Sequence, residues 1–415
     1  MRNVDFRRYW FSSVLNGFGS QISALALPLC SALMLRATPS QMGTMVACQA
    51  IPFALFALPA GVFLDRNRKF PILLGSELVQ ALTLACIPLA YWFGLLSMHW
   101  MYAVAFVMGI CSVVGGGAEQ IFLTHLIGRE GLTDAQSKLA ASDSISRLLS
   151  PGVAGILIQW LTAPYAIVVN AVGFLISLLN LRQISVRDPL PAPSDKHPLR
   201  DIRDGFSFIW GQPLLRTLAW SAACWHLLFY GYAALVILLA TRELGMSAGV
   251  LGTAQMVGGV GVLISSMALK PLNRRVGAGV TILIGIAGTT LCFVLMPTIP
   301  PALFGSRAAS TAAFAAMSLF FDCGVMLFFM PYMSLRQKVT PDAFLGRMIS
   351  TMRFLTVATA PLGALAAGYA AEHVGIRAAM AGVGAGGVLL TAAMALSKPL
   401  RGVRPERAIA TTVDA

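Results

Sequence analysis

The sequence of 415 residues predicts an all-α polytopic membrane protein, with twelve transmembrane helices in two pseudo-symmetric six-helix bundles. Three observations predict it. Charged residues are 11% of the chain and hydrophobic ones 57%, whereas a soluble domain needs about a quarter charged residues to cover its surface. Long runs at 9–35, 37–64, 78–118, 148–181, 217–241, 244–269 and 276–306 contain no Asp, Glu, Lys or Arg. These runs also lack a barrel's alternation, and in lipid only helices or closed barrels satisfy the backbone.

A crossing needs roughly 20 mostly apolar residues, so the runs divide into helices near 12–36, 42–64, 70–95, 100–126, 138–160 and 164–184. The short turn Leu161-Thr162-Ala163-Pro164 separates the last two. Six more follow near 214–240, 248–270, 279–300, 308–336, 344–371 and 376–398. With the N-terminus cytoplasmic, 26 of the 30 Lys and Arg fall on that side, and Arg36, Arg242, Arg307 and Arg377 on the other. A miscounted helix would scramble such a split, so the positive-inside rule sets both termini in the cytoplasm.

The net charge of +13 alone would suit a nucleic-acid binder. Sorted by position it is a topology signal instead, and its anions are lipid headgroups. No nucleic acid is expected as a partner. The first apolar run is longer than a signal peptide's core and has no small-residue cleavage site, so no cleaved leader is expected. Seven cysteines, odd in number and within apolar spans, read as buried inert thiols without disulfide or metal.

Between the halves lies a polar stretch with the proline-rich piece Asp188-Pro189-Leu190-Pro191-Ala192-Pro193. After it Leu199, Ile202, Phe206 and Ile209 recur at helical spacing, which predicts an amphipathic helix on the membrane surface. The organisation is a first bundle at 1–184, a linker at 185–213, a second bundle at 214–400 and a tail at 401–415. Leu64-Asp65-Arg66 and Leu272-Asn273-Arg274 repeat at an offset of about 208, and Ser150-Pro151 and Ala360-Pro361 at about 210. Duplicated halves around a central pathway are a transporter arrangement. Catalytic groups do not converge: the histidines are scattered at 99, 125, 197, 226 and 373, and neither H-E-x-x-H nor a P-loop occurs. An enzyme or ATP-driven pump is therefore not expected.

Gly61-Val-Phe-Leu-Asp65-Arg66-Asn67-Arg68-Lys69 occupies the turn between helices two and three. Gly61 permits close helix approach, and Asp65 can accept hydrogen bonds from a neighbouring helix N-terminus. The spacing resembles the signature loop of the major facilitator superfamily. Leu58-Pro59-Ala60-Gly61, Gly128-Arg129-Glu130, His197-Pro198-Leu199, and Leu335-Arg336-Gln337 through Gly346-Arg347 narrow the likeness to its enterobactin-exporter and macrolide-efflux branch.

The resemblance implies an alternating-access exporter driven by proton entry, with small amphipathic molecules (drugs or siderophores) as cargo. It implies no cofactor beyond the proton gradient, a monomer, and the bacterial inner membrane. An importer or a lysophospholipid flippase of the same fold stays open. The resemblance gives Gly61, Asp65, Arg66, Arg68 and Lys69 a conformational gating role. Pro151 and Gly155 partly match the antiporter motif of helix five, and equally fit a proline kink with tight packing. The helix-one acid and helix-four arginine that many proton-coupled exporters carry are absent: Ala105 stands where the arginine is expected.

Ionisable groups within the membrane are costly and point to function. Asp322 in helix ten, Glu119 in helix four and His226 in helix seven are the candidates for proton coupling or substrate charge. Asn16, Gln21, Gln49, Gln120, Trp225, Tyr230 and Tyr232 are candidate cavity-lining residues. Asp143 and Arg147, one turn apart, are expected to pair, and with Gly346, Arg347 and Arg353 complete the gating set. Glu77 is expected to answer Arg66 or Arg353.

Overall fold

Prolines, glycines and polar caps set the helix ends. The computed structural model describes residues 4–128, 131–185 and 198–403, without the side chains of 58, 62, 65, 133, 198–202, 342 and 343. The proline-rich piece, Arg129, Glu130 and the tail beyond 403 lie outside the described residues. The first half holds α1 (Val4–Leu29), α2 (Pro39–Arg66), α3 (Lys69–Trp92), α4 (Met98–Ile127), α5 (Leu132–Leu161) and α6 (Ala163–Leu181). A connecting helix α7 (Pro198–Gly211) leads to α8 (Pro213–Leu238), α9 (Ala248–Val276), α10 (Ala278–Leu295) and α11 (Arg307–Lys338). The chain ends with α12 (Asp342–Val357), α13 (Ala360–Val374), α14 (Ile376–Leu396) and the short α15 (Lys398–Arg401).

Ten segments are long and apolar enough to cross a membrane, and α2 and α5 complete twelve spans. α5 is polar over its first half, which lowers its mean hydropathy without shortening it. The eleventh span is two helices rather than one. Pro361 lacks the N–H that would continue α12, and Thr359 at the break gives its hydroxyl to the Ala223 carbonyl of α8 at 2.7 Å. α1 begins earlier than the hydropathy suggested because Asp5 and Arg8 continue it into the polar region, where they anchor Ser185 and the Gln183 carbonyl after α6.

Within the first half α1 packs on α5 and α6, α3 on α4 and α6, and α2 on α4. In the second half α11 packs on α9 and α10, α13 on α8, and α14 on α10. The halves meet along two seams, α2 with α13 and α5 with α9. A Cβ on Gly43 would meet the Ala364 carbonyl at 2.5 Å and Gly368 Cα at 3.0 Å. At the other seam a Cβ on Gly155 would meet the Ala248 carbonyl at 2.5 Å and Gly252 Cα at 2.9 Å. Gly43 and Gly252 are equivalent at an offset of 209, and Gly155 and Gly368 at 213. The second value corrects the 210 suggested by the Ser-Pro and Ala-Pro pairs. Pro151 answers to Ala364, whose carbonyls play the same part, and not to Pro361.

The repeat extends to the ends of the first helix in each half. α1 finishes in a π-helical turn at Cys30–Met34 and α8 in another at Leu239–Glu243, again 209 residues apart. Thr38 caps α2 through a reciprocal capping box with Gln41, and Ser247 caps α9 through the Val250 amide.

Hydrogen bonds joining the halves gather at the end opposite the chain termini, here called the far end. Arg242 donates to the Ala37 carbonyl at 2.7 Å and to that of Ala32 at 3.4 Å. Gln159 accepts from the Gly249 amide at 3.0 Å, and Glu372 accepts from the Ser40 amide at 3.1 Å. At the opposite, linker end, Asp134, Gln136, Lys138, Asp143 and Arg147 stand exposed along α5. Polar groups on a membrane helix need water, so this stretch of α5 calls for an aqueous vestibule or the membrane surface at that end.

Candidate functional site

Asp322 sits where the second half meets the seam. It is half-buried on α11 and directed at α9, where a Cβ on Gly258 would overlap its Oδ2. A larger residue there would have to displace the carboxylate from this position. Arg147 of the other half lies within electrostatic reach of it while its Nε holds Asp143 at 2.8 Å. The expected Asp143–Arg147 pair therefore forms.

Behind Asp322 the second half packs aromatic rings. Trp225 stacks on Phe229 with ring centroids 4.9 Å apart, and Phe321 stacks on Tyr232 at 5.4 Å. Trp225 is 3% exposed and gives its indole N–H to Thr289 at 3.1 Å, and Tyr232 is 7% exposed. Both were expected to line a cavity. They face the bundle core instead, because the offset-stacked rings bury more area there than at an open wall. His226 is half-buried; its Nδ1 is 2.7 Å from the Ala222 carbonyl of its own helix, and its ring stands edge-on to Phe329. Tyr230 packs against the α2–α8–α13 contact made by Val46, Ala47, Ala234 and Ala364.

Glu119 belongs to a different group. Its Oε1 accepts from Ser13 at 2.8 Å and from the Tyr9 hydroxyl at 3.3 Å. Nearby, Asn16 gives its amide to Glu77 Oε1 at 2.5 Å. Glu77 thus answers a polar residue of α1 and not Arg66 or Arg353, which corrects the charge-based expectation: Arg66 is exposed in the loop and Arg353 lies 5.5 Å over the Phe53 ring. Asn16 joins this group, Gln21 is half-buried, and Gln49 and Gln120 are exposed. Glu119 and Asp322 lie in separate halves, so the structure does not bring the sequence-derived acids together.

The loop after α2 places Arg66 and Arg68 in the open and buries Lys69, while the Asp65 side chain lies outside the described residues. Gly61 was expected to allow close helix approach. A Cβ there would meet nothing within 4 Å, and the same holds at Gly346, so no close helix approach rests on either glycine. Arg347 reaches Asp204 of α7 at 3.7 Å and lies over Phe344. α7 forms as expected, and docks through Ile209 and a Phe208–Phe344 stack while Phe206 and Trp210 stay exposed. Of the seven thiols, Cys224 is exposed rather than buried.

The seam glycines Gly43, Gly252 and Gly368, and Gly258 beneath Asp322, were not singled out in the sequence. Their signal was the four-residue spacing of small residues on α9, weak in a chain with 39 glycines.

Twelve spans in two related halves, hydrogen-bonded to each other at one end, are the architecture of a polytopic membrane protein. The family model described as Major Facilitator Superfamily matches residues 9–358, and the chain belongs to that superfamily. It is a transporter, not an enzyme. The chain is 25% identical over 394 residues to the multidrug efflux pump Tap of Mycolicibacterium fortuitum, covering 89% of each. It is 24% identical over 371 residues to the uncharacterized MFS-type transporter YfiS of Bacillus subtilis, covering 88% of this chain and 86% of that one. With the enterobactin exporter EntS of Shigella flexneri it shares 25% over 249 residues, 60% of this chain and 56% of the other. Among solved structures, the nucleoside transporter NupG superposes with a TM-score of 0.77 at 12% identity, over 95% of this chain and 98% of that one. A bacterial homologue of ferroportin in an inward-facing state gives 0.71 at 16%, over 93% and 98%. At those identities the likeness concerns the fold alone.

Proposed function

We propose that the protein exports small amphipathic molecules, drugs or siderophores, from the bacterial cytoplasm by alternating access coupled to proton entry. The observation that carries this reading is the half-buried Asp322 carboxylate set against Gly258 beside the α5–α9 seam, with the halves hydrogen-bonded to each other at the far end. A carboxylate there is sensitive to parting of the seam, since that motion changes its access to water and its distance from the charges of α5. Asp322 then takes a proton, or the positive charge of a substrate, when the seam parts. The positive-inside pattern supports a cytoplasmic linker end, and on that reading the hydrogen-bonded far end lies on the outer side of the membrane.

The likeness to Tap, over most of both chains, supports export as the direction. The loop from Gly61 to Lys69, with Arg347 and Arg353, is assigned to holding the halves together when the far end opens. The proton gradient serves as the energy source, without a further cofactor, and the monomer is the working unit. Membrane vesicles test the direction. Everted vesicles are expected to accumulate a drug or siderophore on energisation and to lose it when a protonophore is added. Uptake by right-side-out vesicles would make the protein an importer, and movement of labelled lysolipid between leaflets a flippase.

A further inference from the structure

Three buried oxygens of the first half lack a hydrogen-bond partner: Glu77 Oε2, Asn16 Oδ1 and Ser177 Oγ. Glu77 is 3% exposed; Asn16 binds its Oε1, and its Oε2 is buried without a hydrogen-bond partner. Asn16 Oδ1, the other arm of the same amide, is likewise buried and unpartnered. Turning the amide over would set oxygen against oxygen. From α6 the fully buried Ser177 hydroxyl is directed at the same carboxyl without reaching hydrogen-bond distance.

The charged and titratable groups around Glu77 are few. α4 contributes Glu119 and α1 contributes Tyr9, while α6 brings Ser177 and no charge. Lys69 opens Glu77's own helix two turns earlier. Among the described residues no Lys or Arg forms an ion pair with Glu77. Two acids share this pocket, and burying a carboxylate without a positive charge is strongly unfavourable.

We propose that Glu77 Oε2, Asn16 Oδ1 and Ser177 Oγ form a site for a small monovalent cation, Na+ or H+. Hard oxygen ligands suit Na+, which all three atoms could hold. A proton on Glu77 Oε2 would instead be donated toward Ser177 Oγ. Half-buried Glu119 and Ser13 lie on the linker-end side of the group and supply the route from the vestibule. The site lies within one half, and its existence does not depend on the direction of transport.

Two measurements on the purified full chain test it and separate the two ions. In the first, thermal unfolding is followed as NaCl replaces choline chloride at constant ionic strength. In the second, infrared difference spectra between acid and alkaline pH follow the carbonyl stretch of a protonated carboxyl. A sodium site predicts a rise in Tm with sodium that Glu77→Gln abolishes and Ser177→Ala weakens several-fold in apparent affinity. A proton site predicts a carboxyl band that Glu77→Gln removes and Ser177→Ala shifts in frequency. Should Glu77→Gln fail to fold, Ser177→Ala and Asn16→Ala carry the same comparison. The proposal is overturned if sodium and pH act on the wild type and these variants alike.

Discussion

Gly155 of α5 and Gly252 of α9 approach so closely that neither position has room for a side chain. A Cβ on Gly252 would stand 2.8 Å from Gly155 Cα, and backbone on both sides cannot yield. The seam can therefore part as a unit more easily than it can deform.

Gly252→Val tests this. Overpacking typically costs about 1–3 kcal/mol, and here parting the far end relieves it. The variant is expected to keep its fold, separate the halves at the far end, and lose transport. Distances between spin labels on Ser40 and Glu372 would report the opening; unchanged distances would show that the seam absorbs the methyl groups.

Arg242 holds the same end by a different means, reaching the Ala32 carbonyl within the π-turn of the opposite half and the Ala37 carbonyl just after it. Hydrogen bonds from a charged donor are worth about 1.5–3 kcal/mol. Arg242→Gln is expected to favour far-end opening by an amount within that range, measured as the population shift in the same label pair.

Trp225 separates a packing role from a substrate-contacting one. Its burial and its bond to Thr289 predict that Trp225→Ala lowers stability by about 3–5 kcal/mol. Trp225→Phe keeps the stack and loses only the hydrogen bond, about 1 kcal/mol. Unfolding of the solubilised protein measures both. A change of substrate spectrum in Trp225→Phe at unaltered stability would argue for direct contact with cargo.

Two neighbours in α7 should differ sharply. Asp204 pairs with Arg347 at 3.7 Å with both side chains more than a third exposed, so Asp204→Ala is expected to cost about 0–1 kcal/mol. A Cβ on Gly205 would meet Thr351 Oγ1 at 2.5 Å and the Arg347 carbonyl at 3.1 Å. Gly205→Val is therefore expected to undock α7 from α12, which protease sensitivity of the linker would reveal.

The spans and the duplication were legible in the sequence because hydropathy and charge asymmetry are sums over many residues. The acids were legible only singly. Asp322 stood out as a carboxylate in an apolar run, but that it rests on Gly258, in the half opposite the Asp143–Arg147 pair, depends on the register of three helices, which no local pattern encodes. Glu77 was misassigned for the same reason: charge alone suggested an arginine, and the partner proved to be the uncharged Asn16, eight residues after Arg8 on a helix whose face the sequence does not specify. Trp225 and Tyr232 show the converse, since aromatic clustering in a membrane helix does not distinguish a cavity wall from a bundle core.

Alternating access is the central claim, and paired distances across the two ends test it most directly. One label pair on Ser40 and Glu372 reports the far end, and another on Gly61 and Gly346 reports the linker end. On imposing a proton gradient in proteoliposomes, the far-end distance should lengthen as the linker-end distance shortens, and Asp322→Asn should uncouple that exchange from the gradient. Distances that stay fixed, or that lengthen together at both ends, would contradict the account.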